Sequence, residues 1–163
     1  MNARDAFADI PELRVISALP GWISLQIPPD MKWRNRVVAF FRAQLEDLEE
    51  ETSASLGMAL DELLGNALEH GAKSEPRHII EMSFIRTARV LMIYVRDYGP
   101  GFSIDEAPHA AVNNPPGEPL RHAEYRSKMG LRPGGFGIML VKQVADELLY
   151  NEFGNAVLLI KYL

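Results

Sequence analysis

Apolar positions along the chain change their period several times, and each change predicts an element. Leu13–Ala18 and Trp22–Ile27 are short apolar-rich runs on either side of Leu19-Pro20-Gly21, which predicts two strands around a turn. After Pro28-Pro29-Asp30 the spacing lengthens. Trp33, Val37, Phe40, Phe41, Leu45 and Leu48 form a helical stripe reaching about Glu50. Thr52 or Ser53 is placed to cap a second helix, with Leu60, Leu64, Ala67 and Leu68 as its core face and Gly71 as its stop. His78–Arg86 and Arg89–Arg96 read as paired strands about a tight turn at Thr87-Ala88. A third amphipathic helix is expected over Phe136–Leu149, with Ile138, Val141, Ala145 and Leu148 inward. Gly154-Asn155 then turns into a last strand, Ala156–Tyr162.

Strands, two helices, two strands, a helix and a final strand predict an α+β fold. The expected architecture is a two-layer sandwich with helices on one face of a mixed, mostly antiparallel sheet. Residues 1–163 read as one domain. Residues 1–12 carry no clear pattern and are expected to fray. Ser103–Pro133 has little periodicity and contains Pro108, Pro115, Pro116 and Pro119. A compact domain rarely holds so long a stretch unless it is a lid, a binding loop or a disordered segment.

Composition narrows the chemistry. The chain has 163 residues and is 47% apolar, enough for one real core. Its net charge of −5 argues against binding nucleic acid by phosphate neutralisation. With no cysteine, thiolate metal sites, disulfides and cysteine nucleophiles are excluded. Met1–Pro11 lacks the apolar core of a signal peptide and no apolar run is long enough to span a bilayer, so a cytoplasmic protein with no membrane contact is expected.

Three short motifs carry candidate chemistry. In E-L-L-G-N-A-L-E-H-G, Glu62 and Asn66 stand one helical turn apart on one face, with His70 a turn further and Gly65 beside them, whose lack of a side chain would let a flat ligand approach. An amide oxygen suits Mg²⁺, which keeps waters and phosphate oxygens as its other ligands. A carboxylate next to it can deprotonate an attacking hydroxyl. Asp97 closes the strand Leu91–Val95 and can accept a hydrogen bond from an exocyclic amine, while Gly99 and Gly101 let backbone approach a ligand. Gly134-Gly135-Phe136-Gly137 opens a helix, and glycine backbone at a helix start binds phosphate. Taken singly, each has an ordinary reading: a solvated helix face, a turn, a hinge. Arg121, His122, Arg126, Lys128 and Arg132 cluster before the glycines in an otherwise acidic chain. The dinucleotide fingerprint, the lysine-containing phosphate loop and the H-R-D and D-F-G elements of eukaryotic-type kinases are absent from the sequence.

With the three motifs in this order, the chain from about Pro28 onward resembles the GHKL group, which has the Bergerat-type ATP-binding fold. The N-box corresponds to Glu62-x-x-x-Asn66. The glycine boxes correspond to Asp97-x-Gly99-x-Gly101 and Gly134-Gly135-Phe136-Gly137. The extended N-box and the ending G-N-A-V-L-L-I-K-Y-L are most similar to bacterial anti-sigma-factor serine/threonine kinases. The resemblance implies ATP and Mg²⁺ as cofactors. It implies Glu62 as catalytic base, Asn66 as metal ligand, Asp97 as adenine reader and Gly99 and Gly101 as pocket lining. Gly134, Gly135 and Gly137 would be the phosphate cradle beneath a lid at 103–133. It further implies a sigma factor and an anti-anti-sigma (STAS-type) protein as partners, and members of the group often dimerise. The alternative is an ATP/ADP-sensing switch that binds a partner without phosphoryl transfer.

Overall fold

A computed structural model describes residues 2–10, 12–71, 78–101, 114–130 and 136–163, with only the backbone of His70 and Gly71. Strands β1 (Arg14–Leu19), β2 (Trp22–Ile27), β3 (Ile80–Arg86), β4 (Val90–Arg96), β5 (Glu147–Tyr150) and β6 (Ala156–Tyr162) form one sheet ordered β1-β2-β3-β4-β6-β5. Every pairing is antiparallel. Register sets Ile23 opposite Phe84, Phe84 opposite Ile93 and Ile93 opposite Leu159. Strand side chains alternate between faces, so these four make one buried row across the sheet.

Helices α1 (Ala3–Ala6), α2 (Arg34–Ala43), α3 (Glu50–Asn66) and α5 (Gly137–Val144) bury their apolar residues in the same core, while α4 (Arg121–Lys128) contributes a buried His122. Phe41 of α2 meets Phe84 of β3 with ring centroids 5.3 Å apart, and Leu60 and Leu64 of α3 are fully buried. Helix α3 packs against α2, α5 and β4, which makes it the central element of the helical layer. The expected α+β sandwich is what forms.

Several local expectations need correction. The first helix ends at Ala43, not near Glu50. Leu45 is still fully buried, but Gln44–Glu49 turns away, and Arg86 holds that turn by donating to the Gln44 carbonyl (2.6 Å) and both Asp47 oxygens (2.6 and 2.7 Å). Helix α3 begins at Glu50, before Thr52 and Ser53, with Glu50 and Glu51 in its first turn complementing the helix dipole. Past Asn66 the chain continues as one π-helical turn, Ala67–Gly71.

The third helix stops at Val144, and Glu147–Tyr150 is an edge strand. Asp146 decides this. Its N–H donates to the Ile160 carbonyl (2.9 Å), and its carboxylate accepts from the Tyr162 N–H (2.6 Å) and from Lys161 (3.0 Å). Ala145 and Leu148 still pack on the core, so the residues read as a helical stripe serve a helix end and a strand instead.

Residues near the start are packed rather than frayed. Ala3, Phe7 and Ile10 are buried, Phe7 stacks edge-on against Phe40 at 5.0 Å, and Arg36 donates to Asp9 at 2.8 Å. Of Ser103–Pro133, residues 103–113 and 131–133 lie outside the described residues. The described part contains α4, which its polar sequence did not announce as an element.

Candidate active site

Glu62 and Asn66 lie on the last turns of α3, where it crosses the start of α5. The Glu62 side chain is half-buried against Gly137, the first residue of α5. A Cβ added to Gly137 would sit 2.0 Å from Glu62 Oε2. No other residue fits there while Glu62 keeps this position. Gly137 is thus tied to the carboxylate in addition to its expected place in the phosphate cradle. Burial raises the Glu62 carboxyl above its ordinary value; Arg34 pulls it down, and Asp61 and Glu69 push it further up. A carboxylate held this way is a better proton acceptor than one in water.

Asn66 is partly exposed one turn away, and its amide makes no hydrogen bond among the described residues. No cluster of three His, Asp or Glu suited to a metal occurs among the described residues. A single amide oxygen next to a carboxylate fits Mg²⁺, which takes one or two protein ligands and completes its shell with water and phosphate. The π-helical turn directly after Asn66 belongs to a class of distortion frequent at functional sites.

The space over Gly65 is occupied differently from expectation. Instead of leaving room for a flat ligand, Gly65 admits the Arg34 guanidinium, whose Cζ would lie 2.7 Å from an added Cβ. Arg34 donates from Nε to Asp61 Oδ1 at 2.9 Å and from Nη2 to the Asp61 carbonyl at 3.3 Å, with Glu69 at 3.9 Å from Nη1. Asp61, Gly65 and Glu69 therefore face α2, which leaves Glu62 and Asn66 on the neighbouring stripe.

Asp97 stands just past β4 and is fixed at its backbone, donating from N–H to the Asn155 carbonyl at 2.9 Å. Its Oδ1 accepts from the Gly99 N–H at 2.8 Å, so the carboxylate shapes its own turn. Asn155 Nδ2 donates back to the Gly99 carbonyl at 3.0 Å. Gly101 has φ of +73°, and a Cβ there would lie 1.7 Å from the Phe153 carbonyl oxygen. The first glycine box is thus clamped to the tip of the β5–β6 hairpin.

The structure brings Glu62, Asn66 and Gly137 together at the α3–α5 crossing and joins Asp97, Gly99 and Gly101 in one braced turn. Gly134 and Gly135 lie outside the described residues, as does the His70 side chain. Sequence reasoning missed Arg34, which lies 27 positions from Asp61 and gives no local signal. It read Asn155 only as a turn former and His122 only as part of a basic cluster.

Residues 31–161 match the family described as histidine kinase-like ATPase domain. The chain belongs to this family. It is 31% identical over 130 residues to an anti-sigma F factor of Bacillus cytotoxicus, covering 77% of this chain and 80% of that relative. Anti-sigma F factors of Bacillus cereus and Bacillus thuringiensis are 30% and 29% identical over the same shares. Membership in this ATPase family implies an ATP site, and the relatives reported are anti-sigma F factors. Among the described residues no helix is long and apolar enough to cross a membrane.

Proposed function

We propose that this chain is an ATP-dependent serine/threonine protein kinase of the anti-sigma-factor type, which binds a sigma factor and phosphorylates an anti-anti-sigma (STAS-type) protein. The observation that carries the reading is the half-buried Glu62 carboxylate, seated on Gly137 one turn from Asn66. A binding module needs no proton acceptor at that place.

In this reading Asp97 accepts from the adenine amine, and Gly99 and Gly101 keep that end of the pocket open. Gly134, Gly135 and Gly137 give backbone N–H groups to the phosphates. Asn66 would hold Mg²⁺, which when bound neutralises charge on the β- and γ-phosphates. Glu62 takes the proton of the protein hydroxyl as its oxygen bonds to the γ-phosphorus, and the bond to the bridging oxygen breaks to leave ADP. A homodimer belongs to the same proposal. The sheet face away from the helices supports it, since half-exposed Trp22 and partly exposed Met92, Tyr94 and Leu158 make it more apolar than a solvated face needs.

Phosphoryl transfer and nucleotide binding separate by substitution. Glu62→Ala should keep ATP affinity within a few-fold and slow transfer by about 10²–10⁴, the scale of a lost general base. Asn66→Ala should lose the Mg²⁺-dependent part of binding. Asp97→Asn should bind ATP much more weakly, and it is a clean probe because an amide Oδ1 can still accept from Gly99 N–H. If wild type labels no STAS-type protein from radiolabelled ATP, the partner-binding switch without transfer replaces the kinase.

A further inference from the structure

Two asparagines at the tip of the β5–β6 hairpin use both ends of their amides. Asn151 Oδ1 accepts from the backbone N–H groups of Asn155 and Ala156, each at 3.0 Å. Asn151 Nδ2 donates to Asn155 Oδ1 at 2.8 Å. Asn155 Nδ2 donates in turn to the Gly99 carbonyl at 3.0 Å, far away in sequence. A backbone N–H can only donate and a carbonyl can only accept, so these contacts decide which way each amide points. Asn151 must turn its oxygen to the hairpin, and Asn155 must turn its nitrogen to Gly99. The bond between the two side chains then falls into place as donor to acceptor.

Asn155 holds the first glycine box at two points. Its backbone carbonyl accepts from the Asp97 N–H at 2.9 Å, and its side chain reaches Gly99. Between those points Asp97 Oδ1 accepts from the Gly99 N–H at 2.8 Å. The direction of the Asp97 carboxylate therefore depends on where Gly99 lies, and Asn155 grips Gly99 from the carbonyl side. The turn has few bonds of its own to do this. Gly99 has no side chain, and Pro100 has no N–H to give back. Gly99 is buried, and a buried carbonyl needs a donor, which here comes from the hairpin.

We propose that Asn155 is a positioning residue for base selection, whose side-chain amide grips Gly99 and so aims the Asp97 carboxylate at the exocyclic amine of adenine. The proposal rests on the reading of Asp97 as the adenine contact. Asn155 acts through Asp97 and does not itself touch the base, because its amide is engaged by Gly99 and Asn151. Asn151 supports it in turn by fixing the Asn155 oxygen and backbone N–H. A hydrogen bond from an amine to a carboxylate is charge-assisted and depends on direction, so a loosened turn loses it first. Contacts to the ribose and phosphates do not pass through this grip.

Calorimetry with Mg·ADP and with purine riboside diphosphate, which lacks the exocyclic amine, tests this on wild type and Asn155→Ala. Wild type should favour ADP about ten- to a hundredfold, the range of one hydrogen bond to a charged group. Alanine removes the grip on Gly99 and keeps the backbone bond to Asp97. It should weaken ADP about three- to tenfold, the scale of one lost neutral hydrogen bond, and leave the amine-free analogue within about twofold. A merely structural role would lower both ligands alike. Nitrogen NMR of the wild-type Asn155 side-chain amide gives a second readout that needs no variant to fold. Its Nδ2 resonance should move more with ADP than with the analogue. Equal losses for the two ligands, no loss for either, or an Nδ2 resonance that answers both alike would overturn the proposal while leaving Asp97 as the reader. A wild type that binds both ligands equally would instead remove Asp97 from the adenine contact, and Asn155 with it. One that binds neither would remove the nucleotide reading itself.

Discussion

At the residue scale, Glu62 holds an ionisable group where burial works against its charge. Asp61 and Glu69 add to that pressure and Arg34 relieves part of it. The folded-state pKa is raised above the ordinary value of 4.5, so the folded chain binds this proton more tightly than the unfolded one. The resulting stabilisation is fully present below that ordinary value and is lost as pH rises through the raised one. Glu62→Gln keeps the shape and never ionises. The stability of Glu62→Gln relative to wild type should therefore grow as pH rises through 4.5 and level off once pH has passed the raised folded-state value. Urea unfolding of both proteins at a series of pH values measures the gap, in which the other carboxylates cancel. A gap that does not change across this range would mean that Glu62 is solvated, and its role as base would lose its physical support.

At the element scale, the first glycine box is legible in the sequence as a motif, but its mechanics are not. Asp97-x-Gly99-x-Gly101 announces a turn; only the fold shows that the turn is braced by Asn155 and pressed on the Phe153 carbonyl. Gly101→Ala must adopt a positive φ, costing about 1–2 kcal/mol for an L-residue, and must also push two backbone segments apart. Urea unfolding should show a loss of at least that size, and ATP affinity should fall with it because Asp97 shares the brace. Unchanged stability would show that the hairpin tip yields freely and does not hold the turn. The same contrast runs through the other elements. Strands β2, β3, β4 and β6 were readable because alternation or a continuous apolar run reports burial directly. The end of α2 and the edge strand β5 were not, because contacts distant in sequence set them, Arg86 on Asp47 and Asp146 on Tyr162; helix α4 was not, because its polar sequence shows no apolar stripe and an Asn114 clamp to Pro119 and His122 holds its start. The placement of Glu62 and Asn66 one helical turn apart, and of Asp97 just past a strand, was legible because such spacings survive in any context. Arg34 and His122 gave no such signal.

At the scale of the whole molecule, the two glycine boxes lie at the ends of one long connection. Asp97–Gly101 follows β4, Gly137 opens α5, and β4 and β6 become neighbours in the sheet only after the chain has passed through the segment between them. In the proposed reading a nucleotide would bridge both boxes, and the segment 103–133 joins them in sequence. Its described part brings positive charge, with Arg126 and Lys128 in the last turn of α4. A triphosphate provides more acceptors than a diphosphate, so the two nucleotides differ in how strongly they favour one arrangement of the segment, and only such a difference can drive a switch. Hydrogen exchange across Ser103–Pro133 should show greater protection with a non-hydrolysable ATP analogue than with ADP or no nucleotide, with the α4 amides among those that change. A partner docked beside the segment would then sense the nucleotide state. Equal protection in all three forms would make the segment a passive insertion, and a partner would have to read the nucleotide through another route. Among the described residues, one such route is the brace from Asp97 through Asn155 to the β5–β6 hairpin.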